Sequence, residues 1–266
     1  MCYSTSNREK TQAQMEREME ATFRDPTLYD PYYWMNGFSH GKIYGMTQEA
    51  PDKIDVMTWG IVEPWTKDVK ERWKKLAGKS LNTQSEYAFD NNRSEEAILK
   101  RRVVLPVTGY FEPYHIKKES FPHLVQPIHE SYFGLLGVYN VIDGIRYTSI
   151  LTTEANRFMQ QVHNSKKRQP IMLDPYHWKD WVDPNLNDSL IRQLMFQCDT
   201  DQEIEAFTVS KSATNSRADN NVPEILERKH FPEVIAQQKY DVQQMDTYNE
   251  NLDNLNSGFE STSLFG

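Results

Sequence analysis

Residues 132–153, YFGLLGVYNVIDGIRYTSILTT, carry the clearest structural signal in this chain of 266 residues. Two runs rich in β-branched and aromatic residues flank Asp143-Gly144, a dipeptide typical of tight hairpin turns. The stretch therefore predicts two antiparallel strands. The segment VVLPVTGYFEPYH (103–115) predicts a further strand just before them, so we expect a sheet in the middle of the sequence.

Helices are predicted on both sides of these strands. The polar segment 7–24 contains no Gly or Pro and is rich in helix formers, and shorter helices are predicted at 67–76, 93–102 and 154–163. Strands and helices mix without a regular strand–helix–strand alternation, which favours an α+β fold over a doubly wound sheet.

The charge distribution predicts one domain over residues 1–239 and an acidic, disordered tail over 240–266. Of the net charge of -8, five negative charges lie in this tail, which has no Lys or Arg. Such a segment buries too little apolar surface to order itself. Basic residues cluster at 71–79, 100–102 and 166–168. These clusters permit nucleic-acid binding, although solvated faces are the more common interpretation of such runs.

Targeting and redox signals are sparse. The chain has no apolar run of 18 or more residues, and its first residues lack the apolar core of a signal peptide. Cys2 and Cys198 are too few for a disulfide framework and have no metal-ligand spacing. We therefore expect a cytoplasmic protein that has no membrane segment and binds no metal.

One cysteine directly follows Met1, in MCYSTS (1–6). Removal of Met1 would leave Cys2 with a free α-amine beside its thiol, with reference pKa values of about 7.7–8.0 and about 8.5. Such an aminothiol condenses with an aldehyde to an imine, and the thiol then closes a thiazolidine ring. The alternative is an idle thiol at a frayed chain end.

Four separated motifs occur in a recognisable order. They are MC (1–2), WGIVEPW (59–65) followed by NTQSE (82–86), GYFEPY (109–114) and TTEANRFMQQVHNSKKRQPIML (152–173). Together they resemble the SOS response-associated peptidase family, whose SRAP domains process abasic sites in DNA. The resemblance extends through 208–226 and covers most of residues 2–227. We accordingly expect a curved, largely antiparallel, barrel-like sheet core with peripheral helices.

The resemblance implies roles for four residues. Cys2 would be the nucleophile, Asn82 would position its amine, Glu112 would be the general acid/base, and His163 would assist proton transfer and reversal of the bond. Without the resemblance, these residues would be interpreted as an idle thiol, a turn or helix cap, a strand-end carboxylate and a structural histidine.

DNA contacts are implied at two further places. Trp65 would stack on unpaired bases, and Lys166, Lys167 and Arg168 would contact phosphates. The chain departs from the family pattern mainly among the residues that are implied to contact DNA. MCGR is MCYS here and N-A-R is Asn82-Thr83-Gln84, so two family arginines are missing, and Pro113 stands where the family has Trp.

The function implied is the capture of abasic sites in single-stranded DNA as a covalent thiazolidine crosslink, by a monomer without a cofactor. Met1 would leave by self-cleavage or through an aminopeptidase. Two alternatives remain open. One is an amidohydrolase with an N-terminal Cys nucleophile, and the other is a non-catalytic nucleic-acid-binding module.

Overall fold

The computed structural model describes residues 2–8, 12–129, 132–173, 177–196 and 204–260, with side chains described as far as residue 246. The strands within these ranges are β1 (Ser4–Asn7), β2 (Thr22–Phe23), β3 (Tyr32–Asn36), β4 (Lys42–Thr47), β5 (Ala50–Trp59), β6 (Asn82–Gln84), β7 (Arg102–Val107), β8 (Gly109–Ile116), β9 (Glu119–Pro127), β10 (Phe133–Ile142), β11 (Ile145–Glu154), β12 (Arg168–Pro170), β13 (Met172–Leu173) and β14 (Ile204–Thr208). The helices are α1 (Gln12–Met19), α2 (Val69–Leu76), α3 (Glu95–Lys100), α4 (Arg157–Val162), α5 (Trp178–Trp181), α6 (Asp188–Phe196) and α7 (Pro232–Glu260).

Five strands close into a barrel. β5, β4, β7, β10 and β11 pair antiparallel in that order, and β11 then pairs in parallel with β5 to complete the ring. Each strand contributes a buried side chain to one apolar cluster, namely Ile43, Met57, Leu105, Leu135 and Ile150. The expected α+β fold with a curved, largely antiparallel, barrel-like core and peripheral helices is confirmed.

The hairpin at 132–153 has the predicted form. Ile142 pairs with Ile145, and the turn residues Asp143 and Gly144 have φ values of 50° and 77°. Two positive φ values define a type I′ turn, whose twist matches that of the flanking strands. This turn joins two adjacent barrel strands.

A second sheet, in the order β14-β9-β8-β1-β3, stands beside the barrel. The prediction of a single strand over 103–115 is wrong, because the chain leaves the barrel at the end of β7 and joins this sheet as β8. The change occurs at Thr108, whose N–H donates to the Ser6 carbonyl at 2.9 Å.

The beginning of the chain also differs from the prediction. Among the described residues of the segment predicted as a helix from residue 7, helix α1 spans Gln12–Met19, while Ser4–Asn7 form strand β1. Ser4 pairs with Asn36 of β3 on one side and with Phe111 of β8 on the other. Polar residues can occupy this buried strand because their side chains find partners inside, as Thr5 Oγ1 does with the Tyr32 hydroxyl at 3.2 Å.

The last helix crosses the proposed domain boundary at residue 240. α7 runs through Glu260, so 240–260 is helical where the sequence led us to expect disorder, and 261–266 lies outside the described residues. Val234 anchors the helix in an apolar cluster with Tyr114 and Phe121. This contact fixes the start of α7, before residue 240, to the folded domain.

Among the helices that the structure describes, none is both long and apolar enough to cross a membrane.

Candidate functional site

The N-terminal strand carries Cys2 into the interior. β1 lies between β3 and β8, and Ser4 pairs with Phe111, the residue before Glu112. The Gly37 N–H donates to the Tyr3 carbonyl at 2.8 Å and extends this anchoring toward the chain end. Cys2 is fully buried, and its thiol lies 3.6 Å from the Ser4 carbonyl oxygen. Strand pairing therefore holds Cys2 next to Glu112.

Asn82 meets Cys2 from the barrel. It begins β6, which pairs in parallel with β11 through Ile150. Its Nδ2 donates to the Cys2 carbonyl at 2.8 Å. Among the described residues, the buried Oδ1 of Asn82 has no hydrogen-bond partner. A buried amide oxygen of this kind is available to accept a hydrogen bond from a nearby amine.

Glu112 and His163, the residues expected to act as acid and base, contact each other. Glu112 on β8 is fully buried, and His163 follows the last residue of α4 and is 3% exposed. His163 Nδ1 lies 3.3 Å from Glu112 Oε2 and 3.0 Å from the Arg168 carbonyl oxygen. A carbonyl oxygen can only accept, so Nδ1 carries the proton of the neutral imidazole and Nε2 carries the lone pair.

Burial sets the protonation of both groups that face Glu112. It raises the pKa of the Cys2 thiol well above the ordinary value, and the negative charge of Glu112 raises it further. Burial lowers the pKa of His163, and this effect outweighs the opposing attraction of Glu112. The resting site therefore contains a protonated thiol and a neutral imidazole.

Two clefts meet at Tyr3. The Glu112 cleft, of about 360 Å³, is lined by Glu112, Phe38, Trp34 and Phe111 among others. The Asn82 cleft, of about 430 Å³, is lined by Asn82, Lys79, Arg93, Lys166 and Tyr87 among others. Tyr3 lines both, and it directly follows Cys2 in the chain. The Glu112 cleft thus offers several aromatic side chains, whereas the Asn82 cleft is polar and carries three basic residues, Lys79, Arg93 and Lys166.

Trp65, the residue predicted to stack on bases, is 67% exposed. It lies in the loop that connects β5 to α2. Trp59, at the start of the same motif, is fully buried, and its indole N–H donates to the Leu81 carbonyl at 2.9 Å. An exposed tryptophan presents an apolar face to solvent, so of these two residues Trp65 is the one available for stacking.

The predicted phosphate contacts separate into two groups. Lys166 and Lys167 are exposed, and Lys166 lines the Asn82 cleft. The Arg168 guanidinium instead donates to both oxygens of Glu86, at 2.7 and 2.9 Å, and to the Thr152 carbonyl. Arg168 is thus engaged within the protein, and its carbonyl oxygen serves the site by accepting from His163.

Sequence reasoning missed several residues of the two clefts. Lys79 belongs to the basic cluster 71–79 but carried no signal of its own, and Arg93 stood apart from any motif. The Arg93 guanidinium donates to the Lys79 carbonyl at 2.9 Å and to Asn91 Oδ1 at 3.3 Å. Burial lowers the pKa of Arg93, but the group stays charged near neutral pH.

The arrangement suits the chemistry of a carbonyl compound. The Cys2 residue, a carboxyl group and a neutral imidazole lie in a buried region, and imine formation needs an amine together with groups of the last two kinds. Within the described ranges, no group of three or more His, Cys, Asp or Glu side chains could hold a metal ion.

Comparison with known proteins agrees with this architecture. The SOS response associated peptidase (SRAP) family model matches residues 1–216. The chain is 25% identical over 186 residues to abasic site processing protein YoaM of Bacillus subtilis, covering 67% of this chain and 77% of YoaM. It is 24% identical over 182 residues to abasic site processing protein YoqW of the same organism, covering 66% of this chain and 77% of YoqW.

Solved structures share the fold. A protein from Bacteroides thetaiotaomicron superposes with a TM-score of 0.76 at 22% identity, covering 86% of this chain and all of that one. A protein from Bordetella bronchiseptica superposes with a TM-score of 0.62 at 18% identity, covering 79% of this chain and all of its own. The family model covers well over half of the sequence, including Cys2, Asn82, Glu112 and His163. The chain therefore belongs to the SRAP family.

Proposed function

We propose that this protein captures abasic sites in single-stranded DNA as a covalent DNA–protein crosslink through Cys2. The observation that carries the proposal is the pair of contacts that joins Asn82 to Cys2 and His163 to Glu112, with Glu112 and Asn82 each lining one of the two clefts. The names of the curated relatives support abasic-site DNA as the substrate.

The reaction begins when Cys2 is the first residue of the mature chain. Its α-amine adds to the aldehyde carbon of the ring-opened sugar and forms a carbinolamine. Asn82 Oδ1 holds this amine by accepting one of its N–H groups, since Asn82 Nδ2 is already bound to the Cys2 carbonyl. The amide thus fixes the nucleophile on both sides.

Loss of water then gives the imine. Both amine protons end on the oxygen that leaves as water, and the Glu112 carboxylate with the neutral His163 imidazole relays them within the site. The Cys2 thiol next adds to the imine carbon. Its sulfur forms the new C–S bond, the thiol proton passes to nitrogen, and the product is a five-membered thiazolidine. One water is released in the whole sequence.

The two clefts accommodate the strand on either side of the captured sugar. Phe38, which is 49% exposed, offers a stacking face in the Glu112 cleft. Lys79, Arg93 and Lys166 offer phosphate contacts in the Asn82 cleft. Outside the clefts, Trp65 adds an exposed aromatic face for stacking and Lys167 adds an exposed positive charge. These residues stand in for the two family arginines that this chain lacks.

A crosslinking assay tests the proposal. A single-stranded oligonucleotide with one abasic site is incubated with the protein and resolved on a denaturing gel, with an oligonucleotide that has no abasic site as control. Wild type should give a heat-stable shifted band with the abasic DNA alone. No band from wild type whose intact mass shows Cys2 at the N-terminus would overturn the proposal.

Variants of Cys2 separate the amine from the thiol. Cys2→Ala and Cys2→Ser keep the α-amine but lose the thiol, so each should crosslink only when borohydride traps the imine. A heat-stable band from Cys2→Ala without reductant would assign the bond to another nucleophile.

A further inference from the structure

Side chains from outside the family-matched region contact the elements next to Glu112 and His163. The family model ends at residue 216, and helix α7 begins at Pro232. We propose that the first part of α7 is a positioning element for Glu112 and His163, and that Gln238 is its central positioning residue. The inference rests on the proposed function for its chemistry and on side-chain contacts for its geometry.

Gln238 joins the two elements next to Glu112 and His163. Its Nε2 donates to the Gln161 carbonyl at 2.9 Å, two residues before His163 in the chain. The same Nε2 lies 3.1 Å from His123 Nε2 on β9. The side-chain amide of Gln238 therefore donates one N–H to α4, the helix just before His163, and the other to the sheet.

The histidine contact is directional. His123 Nδ1 lies 3.1 Å from the Phe121 carbonyl, which can only accept, so Nδ1 carries the proton and Nε2 accepts from Gln238. His123 is 3% exposed and pairs directly across the ladder with Glu112. Residues opposite each other in an antiparallel pair lie on the same face of the sheet. Gln238 thus holds α4 against the side of the sheet that carries Glu112.

A second contact fixes the helix to the strand that carries Glu112. The hydroxyl of buried Tyr114, two residues after Glu112, donates to Asp241 Oδ2 at 2.5 Å. Asp241 also accepts from Gln237 Nε2 at 2.9 Å, which holds the carboxylate in place. Farther along α7, Asp246 pairs with Arg157, the first residue of α4.

These contacts all lie close to the pair formed by His163 and Glu112. His163 meets Glu112 with 3.3 Å between Nδ1 and Oε2, and His163 directly follows α4 whereas Glu112 lies on β8. Small displacements of a catalytic group cost up to about 100-fold in rate. A brace that contacts both elements therefore sets the rate of proton transfer without itself touching DNA.

The test compares two glutamines of the same helix. Gln238→Leu removes both hydrogen bonds and keeps much of the volume, and Gln244→Leu makes the same change at an exposed position of α7. Single-turnover crosslinking over a range of abasic DNA concentrations gives a maximal rate and a half-saturating concentration. Gln238→Leu should lower the maximal rate about 10-fold and leave the half-saturating concentration unchanged, while Gln244→Leu should match wild type.

NMR of the free protein tests the role of Gln238 independently of the crosslinking reaction. The side-chain resonances of His163, followed by NMR in the free protein, should shift in Gln238→Leu and stay in place in Gln244→Leu. Unchanged His163 resonances together with an unchanged maximal rate would overturn the inference, as would a fall in rate matched by an equal loss of DNA affinity.

Two other experimental results would still decide the role of Gln238. If wild type forms no crosslink, the proposed function fails and the NMR comparison alone decides the role of Gln238. If Gln238→Leu does not fold, Tyr114→Phe takes its place, because it removes only the link to Asp241 and keeps the ring packing. It should lower the maximal rate without changing the half-saturating concentration, and a wild-type rate would overturn the inference.

Discussion

At the scale of single residues, Glu112 is a carboxyl group with no access to solvent. It faces His163 on one side and acts on the Cys2 thiol on the other. A surface carboxylate at a strand end would be screened by water and would have little influence on either group. Burial is what lets this carboxyl group act strongly on both neighbours.

Replacing Glu112 with Gln should slow bond formation by about 10²–10⁴-fold, the range typical of a positioned acid/base. The product should still be a heat-stable thiazolidine, because the thiol remains. Crosslink yield against time measures the effect. Glu119→Gln is the matched control, since Glu119 lies at the exposed start of β9 and pairs with Lys211. A Glu112→Gln variant as fast as wild type would contradict the role.

His123 should make stability depend on pH. Burial lowers its pKa from 6.5 to about 4, so the unfolded chain binds a proton that the folded chain does not. The free energy of unfolding should therefore fall as the pH drops below about 6.5 and level off near pH 4. At about 1.4 kcal/mol per pKa unit, the loss approaches about 3 kcal/mol.

Urea unfolding of wild type and His123→Gln between pH 7.5 and pH 4 measures this dependence. The difference in unfolding free energy between the two proteins should shrink as the pH falls, because only wild type loses the contribution of His123. A constant difference over the whole range would contradict the prediction.

At the scale of elements, the hairpin of β10 and β11 depends on its turn. Gly144 has φ +77°, and a Cβ added there would meet nothing within 4 Å. Gly144→Ala should therefore lower the free energy of unfolding through backbone strain alone, by about 1–2 kcal/mol. Gly144→Asn should lose less unfolding free energy than Gly144→Ala, since Asn tolerates a left-handed backbone conformation. Urea midpoints give the values, and a Gly144→Ala variant as stable as wild type would show that the turn relaxes.

At the scale of the whole molecule, DNA binding must overcome a net charge of -8. The Asn82 cleft concentrates positive charge near Cys2, so binding should depend on this cleft more than on total charge. The double variant Lys79→Glu with Lys166→Glu should weaken binding before the covalent step. It should reduce the slope of log affinity against log salt by about 1.4, the value for two phosphates of a single strand.

The matched control is Lys53→Glu with Lys179→Glu, which changes the net charge equally. These lysines line neither cleft, and each lies near an acidic side chain, Asp52 or Glu20. Filter binding at several salt concentrations compares the DNA affinity of the two double variants. Equal losses in both double variants would mean that total charge governs binding.

The sequence by itself determined several local elements and the candidate residues of the site. The Asp143-Gly144 turn and its flanking strands follow from alternation and turn residues within a few positions. Helix α2, predicted at 67–76, occupies Val69–Leu76 because Asp68 caps it, with its side chain accepting from the Glu71 N–H at 2.9 Å. Cys2, Asn82, Glu112 and His163 were found from the order of short motifs.

Only the tertiary structure decided which distant residues meet. Strand β1 has no apolar alternation, and it forms because β3 and β8 offer backbone partners on both sides. The parallel pairing of β11 with β5 closes the barrel, and a contact 80 positions apart in the chain joins Asn82 to Cys2. The same holds for Arg168, which pairs with Glu86, and for the brace formed by α7. Local patterns report periodicity and turns, whereas strand partners and buried ion pairs depend on surfaces that exist only after the chain has folded.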